Sequence, residues 1–155
     1  MPKDQAYQQA EQKIQQALKS GATELVLGGD YKTPEEKKLS ELPESLWKLT
    51  HLKSLTISYT KLTTLPPSLG QLTQLTELDL SNNQLTTLPD SLGQLTQLTS
   101  LSLSSNQLTT LPDSLGQLSN LEQLFLGSGN EHGNPISVLP SCIRYFQKID
   151  ILVIE

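Results

Sequence analysis

The chain is short of most residues that carry chemistry. Its 155 residues hold one cysteine, Cys142, and two histidines, His51 and His132. A lone cysteine closes no internal disulfide. His132 has only Glu131 beside it, which is too few ligands for a metal centre. No Gly-rich phosphate loop of the GxxxxGK[ST] type is present. Between Lys61 and Arg144 there is no Lys or Arg, and the formal charge is −5. Nucleic-acid affinity rests on basic side chains that displace phosphate counterions, so DNA and RNA are poor partners, and anionic membranes are disfavoured on the same ground. No apolar run is long enough to span a bilayer, and no cleavable leader pattern opens the sequence. These absences predict a cytoplasmic, non-enzymatic protein with no cofactor, no metal, and neither a nucleic-acid nor a membrane partner.

What the chain has instead is leucine, about a fifth of all residues. The segment Leu75–Gln97, LTELDLSNNQLTTLPDSLGQLTQ, is followed directly by LTSLSLSSNQLTTLPDSLGQLSN, Leu98–Asn120. Tandem units of 23 residues indicate a stacked solenoid, in which no unit buries its apolar face without a neighbour. In phase with these two, strand-bearing units begin at Ala22, Leu52, Leu75, Leu98, Leu121 and Ile149. The alternating pairs Leu25/Leu27, Leu55/Ile57, Leu78/Leu80, Leu101/Leu103, Leu124/Leu126 and Leu152/Ile154 are the expected inward faces. Each strand is followed by a return segment such as Leu85-Thr-Thr-Leu88-Pro89, with Leu92 and Leu95 closing the core from the other side. Pro89 and Pro112 fit the start of a short helical or 3₁₀ turn, where a missing N–H is harmless.

The in-phase LxxLxLxxNxLxxLP string resembles the leucine-rich repeat family, from about Gly21 to the end. The resemblance implies an α/β solenoid, a horseshoe with a parallel sheet on its concave face and short helical or 3₁₀ segments on its convex face. It also implies that the Asn at the ninth position, here Asn83 and Asn106, bonds backbone groups of its own and adjoining units. Thr60 and Gly129 hold that position in flanking units and Asp30 in the first, where the ladder is expected to be weaker. The run AEQKIQQALKSGATELVL is similar to stretches that open leucine-rich regions of bacterial proteins, including Roco-type GTPases. That likeness implies an alternative, in which the chain is a regulatory segment of a larger signalling protein whose catalytic part lies elsewhere.

The division expected is a capping helix within residues 1–21 and a repeat domain over residues 22–155. Asp4–Ser20 reads as a helix with Ala6, Ala10, Ile14, Ala17 and Leu18 on one face and Gly21 as its stop. Two units exceed the period, by about seven residues around Gly28–Lys38 and about five around Gly127–Pro135. Both insertions follow a strand, so both leave one rim, about 20 Å apart if strands lie about 4.8 Å from one another. At the far end, Ile149-Asp-Ile-Leu-Val-Ile-Glu155 is apolar on both faces. The phase puts Ile151 and Val153 on the concave side, a candidate self-association edge for a homodimer through the C-terminal strand.

The two near-identical units differ at five positions, three of which are Glu77/Ser100, Asp79/Ser102 and Asn82/Ser105. Variation therefore collects on the exposed face of the sheet. The expected function is non-catalytic binding of a protein or peptide through that face and its rim loops. The candidate contacts are Ser54, Thr56 and Tyr59 on the second unit; Glu77, Asp79 and Asn82 on the third; and Ser100, Ser102, Gln123 and Phe125 beyond. Phe125 next to Ile151 and Val153 would make an aromatic-aliphatic spot, and Glu77 with Asp79 an acidic one suited to a basic or polar peptide.

Overall fold

A computed structural model describes residues 4–127, 133–145 and 150–152, with residues 144, 145 and 150–152 given by their backbone. Six parallel strands form one sheet in sequence order: β1 Glu24–Gly28, β2 Ser54–Ser58, β3 Glu77–Asp79, β4 Ser100–Ser102, β5 Gln123–Phe125 and β6 Asp150–Leu152. Between strands the chain returns through 3₁₀ turns, among them Glu44–Lys48, Pro67–Gln71, Asp90–Gln94, Asp113–Gln117 and Ser141–Tyr145. Pro89 and Pro112 stand just before two of these turns, as their missing N–H allows. The architecture is the expected α/β repeat solenoid.

The core is one narrow layer of stacked leucines. Within the third unit Leu80, Leu85, Leu92 and Leu95 have no accessible surface, and their counterparts Leu103, Leu108, Leu115 and Leu118 in the fourth have none either. Each such side chain contributes about 1.5–3 kcal/mol on burial, but only because the next unit covers it. The first layer is covered by α1, Gln5–Ser20. Asp4 caps this helix by accepting a bond from the Tyr7 N–H, and Gly21 ends it in the left-handed conformation at φ 66°. Ala10, Ile14 and Ala17 are its buried residues. Glu11 on its flank accepts a 2.6 Å bond from the Ser45 hydroxyl, tying the helix to the first 3₁₀ turn of the convex side. Bonds from Ser45 and then Gln15 hold the Glu11 carboxyl below the usual carboxylate range. A depressed carboxylate stabilises the fold at neutral pH, and that contribution fades as pH falls through the carboxylate range.

Asparagine carboxamides join the units. Asn106 Nδ2 donates to Leu103 O of its own unit and to Leu80 O of the one before, each at 2.9 Å. Its Oδ1 accepts from the Leu85 N–H at 3.0 Å. Asn83 repeats this with Leu80 O and Ile57 O, and its Oδ1 accepts from both the N–H and hydroxyl of Thr60. Thr60, 2% exposed, continues the ladder through its hydroxyl, which accepts from the Leu62 N–H, but it has no amide to give to carbonyls. Asp30 takes no part. Its carboxylate serves its own loop by accepting from the Lys32 N–H and the Thr33 hydroxyl.

In the fifth unit the rung is Asn134, a residue the repeat phase did not single out. Its Nδ2 donates to Leu126 O and Leu103 O at 2.8 Å, and its Oδ1 accepts from the Leu108 N–H. Gly129, the residue in phase, lies outside the described residues. The insertion displaces the ninth-position role by five residues, since Asn134 follows Leu126 by eight where Asn106 follows Leu103 by three.

The convex side packs by a second rule. A Cβ at Gly93 would lie 2.6 Å from Ser114 O, and one at Gly116 would lie 2.7 Å from Cys142 Cβ. Gly70 meets Ser91 in the same way. Each Ser-Leu-Gly-Gln turn therefore offers a bare backbone on which the small residue of the next turn seats: Ser91, Ser114, then Cys142. Cys142 is thereby given a packing role. The seat selects by size, since Ser91 and Ser114 bury their hydroxyls without a hydrogen-bond partner.

One expectation is corrected at the far end of the sheet. Backbone pairing sets Asp150 against Gln123, Ile151 against Leu124 and Leu152 against Phe125. Ile151 is thus in register with an inward position, one residue from the expected phase, and Val153 lies outside the described residues. The physical reason is the composition of the segment. A one-residue slip exchanges the two faces of a strand, and where both are apolar the hydrophobic pattern does not choose between them.

Two measurements check these rules. Asn106→Ala, which orphans the Leu85 N–H and removes the bonds to Leu80 O and Leu103 O and a longer one to Ser104 O, should lower unfolding free energy in urea by about 3 kcal/mol. Gly93→Ala should cost about 2 kcal/mol or more by forcing adjacent turns apart, whereas Ser114→Ala, which removes a partnerless hydroxyl, should leave the midpoint unchanged or raise it.

Candidate functional site

The exposed positions of the sheet form a shallow groove. Parallel pairing in strict register brings Ser54, Glu77 and Ser100 into one row and Thr56, Asp79 and Ser102 into the next, with Phe125 continuing the second row. These seven residues line a single depression together with Leu55 and Leu78. Gln123, exposed on β5, continues the first row but does not line the depression. On β1 the same rows start with Glu24 and Val26, the latter 59% exposed. Every charged side chain on the concave positions of β1 to β5 is therefore an acid: Glu24, Glu77 and Asp79.

Asp79 has a second duty. Its Oδ1 accepts a 2.9 Å bond from the Ser81 N–H, fixing the turn that leaves β3. One carboxylate oxygen is committed to the backbone, and the group is half-buried where Glu77 is exposed.

Tyr59 and Asn82 are placed differently from the other candidates. With Ser105 they occupy the left-handed region at φ 54°, 56° and 56°, each immediately before the ladder residue of its unit. This turn aims Thr60, Asn83 and Asn106 into the core. Asn tolerates that backbone, whereas a bulky residue such as tyrosine is strained there. Tyr59 and Asn82 thus stand in the rim turns, half-buried and outside the groove lining. The signal for this in the sequence was Asn82, a residue enriched at positive φ, at the homologous place.

Nothing in the groove resembles a reaction centre. The pair Glu77 and Asp79 has no histidine, lysine or cysteine among the groove lining. Among the described residues no group of three His, Cys, Asp or Glu side chains comes together as a metal site. His51 is exposed in the loop before β2, and His132 lies outside the described residues. No helix among the described residues is long and apolar enough to cross a membrane.

The family model for a leucine-rich repeat region matches residues 30–155. The chain belongs to the leucine-rich repeat family. Among solved structures it is similar to a leucine-rich repeat protein of Leptospira interrogans, at 37% identity and a TM-score of 0.71, over 84% of this chain and 30% of that one. It is also similar to an internalin of Listeria monocytogenes, at 26% identity and a TM-score of 0.67, over 88% of this chain and 36% of that one. The chain thus spans about a third of the length of each. No curated protein matches it. Neither the family match nor these two structures supports the Roco-type likeness of residues 10–27.

Ser105→Gly should raise stability by about 1 kcal/mol, because glycine removes the steric cost of the left-handed turn. The check is a thermal or urea midpoint. A fall in the midpoint would mean that the Ser105 side chain contributes more than its backbone costs.

Proposed function

We propose that the protein is a non-catalytic recognition module that binds an extended, basic segment of another protein across its concave sheet. The observation that carries this reading is the one-sided charge of the face: acids at Glu24, Glu77 and Asp79, hydroxyls at Ser54, Thr56, Ser100 and Ser102, and one aromatic at Phe125. A Lys or Arg side chain lies over the Glu77–Asp79 pair, and an apolar side chain packs on Phe125. Asp79 and Phe125 stand two strands apart, about 9.6 Å, which is about three residues of extended chain. The sheet is stiff and its side chains are short, so little ordering cost is incurred on binding.

Selection from a displayed peptide library tests this. Peptides enriched by the wild-type protein should carry Lys or Arg about three residues from an apolar or aromatic residue. A Glu77→Gln/Asp79→Asn/Phe125→Ala variant should lose them while keeping its melting temperature, since Asn at 79 still accepts the Ser81 N–H. Affinity should fall with added salt, as expected for exposed charges. Enrichment of acidic peptides, or equal enrichment by the variant, would sink the reading.

A further inference from the structure

The strongest unassigned feature is a cavity of about 300 Å³ at the N-terminal end, away from the concave groove. That volume is at the small end of ligand pockets. One wall is α1, where Ala6, Ala10 and Lys13 fall on one face at helical spacing. The floor is Leu27 at the end of β1 together with Leu39. The other wall is the first insertion, from Gly28 to Lys37.

Two features make this a formed pocket. First, the insertion is folded on itself. Gly28, at φ 101°, lies so close to Ser58 O that no Cβ could be accommodated. The Asp30 N–H donates to the Thr33 hydroxyl at 2.9 Å, and the Thr33 N–H to Asp30 O at 3.1 Å. Farther along, Lys38 pairs with Glu35 at 2.7 Å and Lys61 N donates to Leu39 O at 2.8 Å, holding the wall to its neighbours. Second, the helix presents alanines where it faces the floor. Leucine in place of the partly buried Ala6 would enter the space, whereas Ala10, 5% exposed, is packed into the edge of the core.

The electrostatics are as specific as the shape. Lys13 and Lys37 stand on different walls, both exposed, and no acidic residue lines the cavity. Lys13 makes one long bond, 3.4 Å, to Val26 O, which leaves N–H donors to spare. Of the acids that adjoin the lining along the wall, Asp30 accepts from the Lys32 N–H and the Thr33 hydroxyl, Glu35 is engaged by Lys38 and by Gln84, and Glu36, exposed, stands beside Lys37 outside the lining. In a protein of charge −5 the lining itself thus carries two lysines and no acid above an apolar floor. Together these point to an anion with an aliphatic body. We infer that the cavity between α1 and the first rim loop binds a small aliphatic carboxylate, its chain on Ala6, Ala10, Leu27 and Leu39 and its carboxylate between Lys13 and Lys37. This site is independent of the concave-face reading.

The experiment is a titration of the whole chain with hexanoate, with hexanamide as the uncharged isostere, followed by amide NMR spectra. Hexanoate should shift the Ala10, Gly28 and Gly29 amides saturably, with hexanamide about tenfold weaker or more because the charge-assisted bonds are gone. Lys13→Gln/Lys37→Gln should weaken hexanoate by a similar factor, and Ala6→Leu should abolish the shifts by filling the cavity. Should Ala6→Leu not fold, the lysine variant decides alone, since it changes only exposed side chains. Equal response to hexanoate and hexanamide, shifts confined to other amides, or undiminished binding by the lysine variant would overturn the assignment.

Discussion

The constraint on which the molecule depends is the asparagine carboxamide shared between consecutive units. A leucine stack alone is nondirectional: it rewards burial but not register. The amide is directional on both sides, giving two protons to carbonyls of two successive strands and taking one from the backbone of the preceding unit. Because Leu80 O accepts from both Asn83 and Asn106, and Leu103 O from both Asn106 and Asn134, the rungs are linked end to end. Buried backbone groups at the turn, which would otherwise lack partners, are satisfied by this chain of amides.

The binding face follows from that ladder. Register fixed at each turn puts residues two apart on one strand into rows across all strands, so a change at one strand position changes one point on a surface and nothing in the core. The left-handed residue before Thr60, Asn83 and Asn106 is the cost of turning the chain inward so abruptly, and it explains why Tyr59 and Asn82 serve the backbone rather than the groove. The same economy places the acids. Glu77 is free to face solvent, while Asp79 divides itself between the face and its own turn.

The regular parts of this structure were legible from periodicity. The strand pairs of β1 to β5, the prolines before the 3₁₀ turns and the helix follow from residue type and spacing, because local preference and burial agree there; the ladder at Asn83 and Asn106 was implied by the resemblance to the leucine-rich repeat family. Seven of the ten proposed contacts line one depression for the same reason. What the sequence hid lies where count and chemistry part company. Asn134 was out of phase by the length of an insertion, although Asn134-Pro-Ile-Ser-Val-Leu-Pro140 keeps the spacing of Asn83-Gln-Leu-Thr-Thr-Leu-Pro89. The register of β6 was not readable because both parities of its sequence are apolar. Backbone strain at Tyr59 leaves no trace in hydrophobic pattern at all.

The bare glycines of the convex turns give the solenoid a direction. Gly70, Gly93 and Gly116 each receive a small residue from the following turn, and in the first turn the homologous place is held by the buried Trp47. The turns Asp90–Gln94 and Asp113–Gln117 are thus both socket and plug, while the first turn has Trp47 and the last has Arg144 at the place of the glycine. Growth by duplication is cheapest in the interior, where a copied unit arrives with both of its junctions already solved. Each such copy would widen the recognition surface by one strand spacing, about 4.8 Å. The near-identity of the third and fourth units has the form that such an event would leave behind.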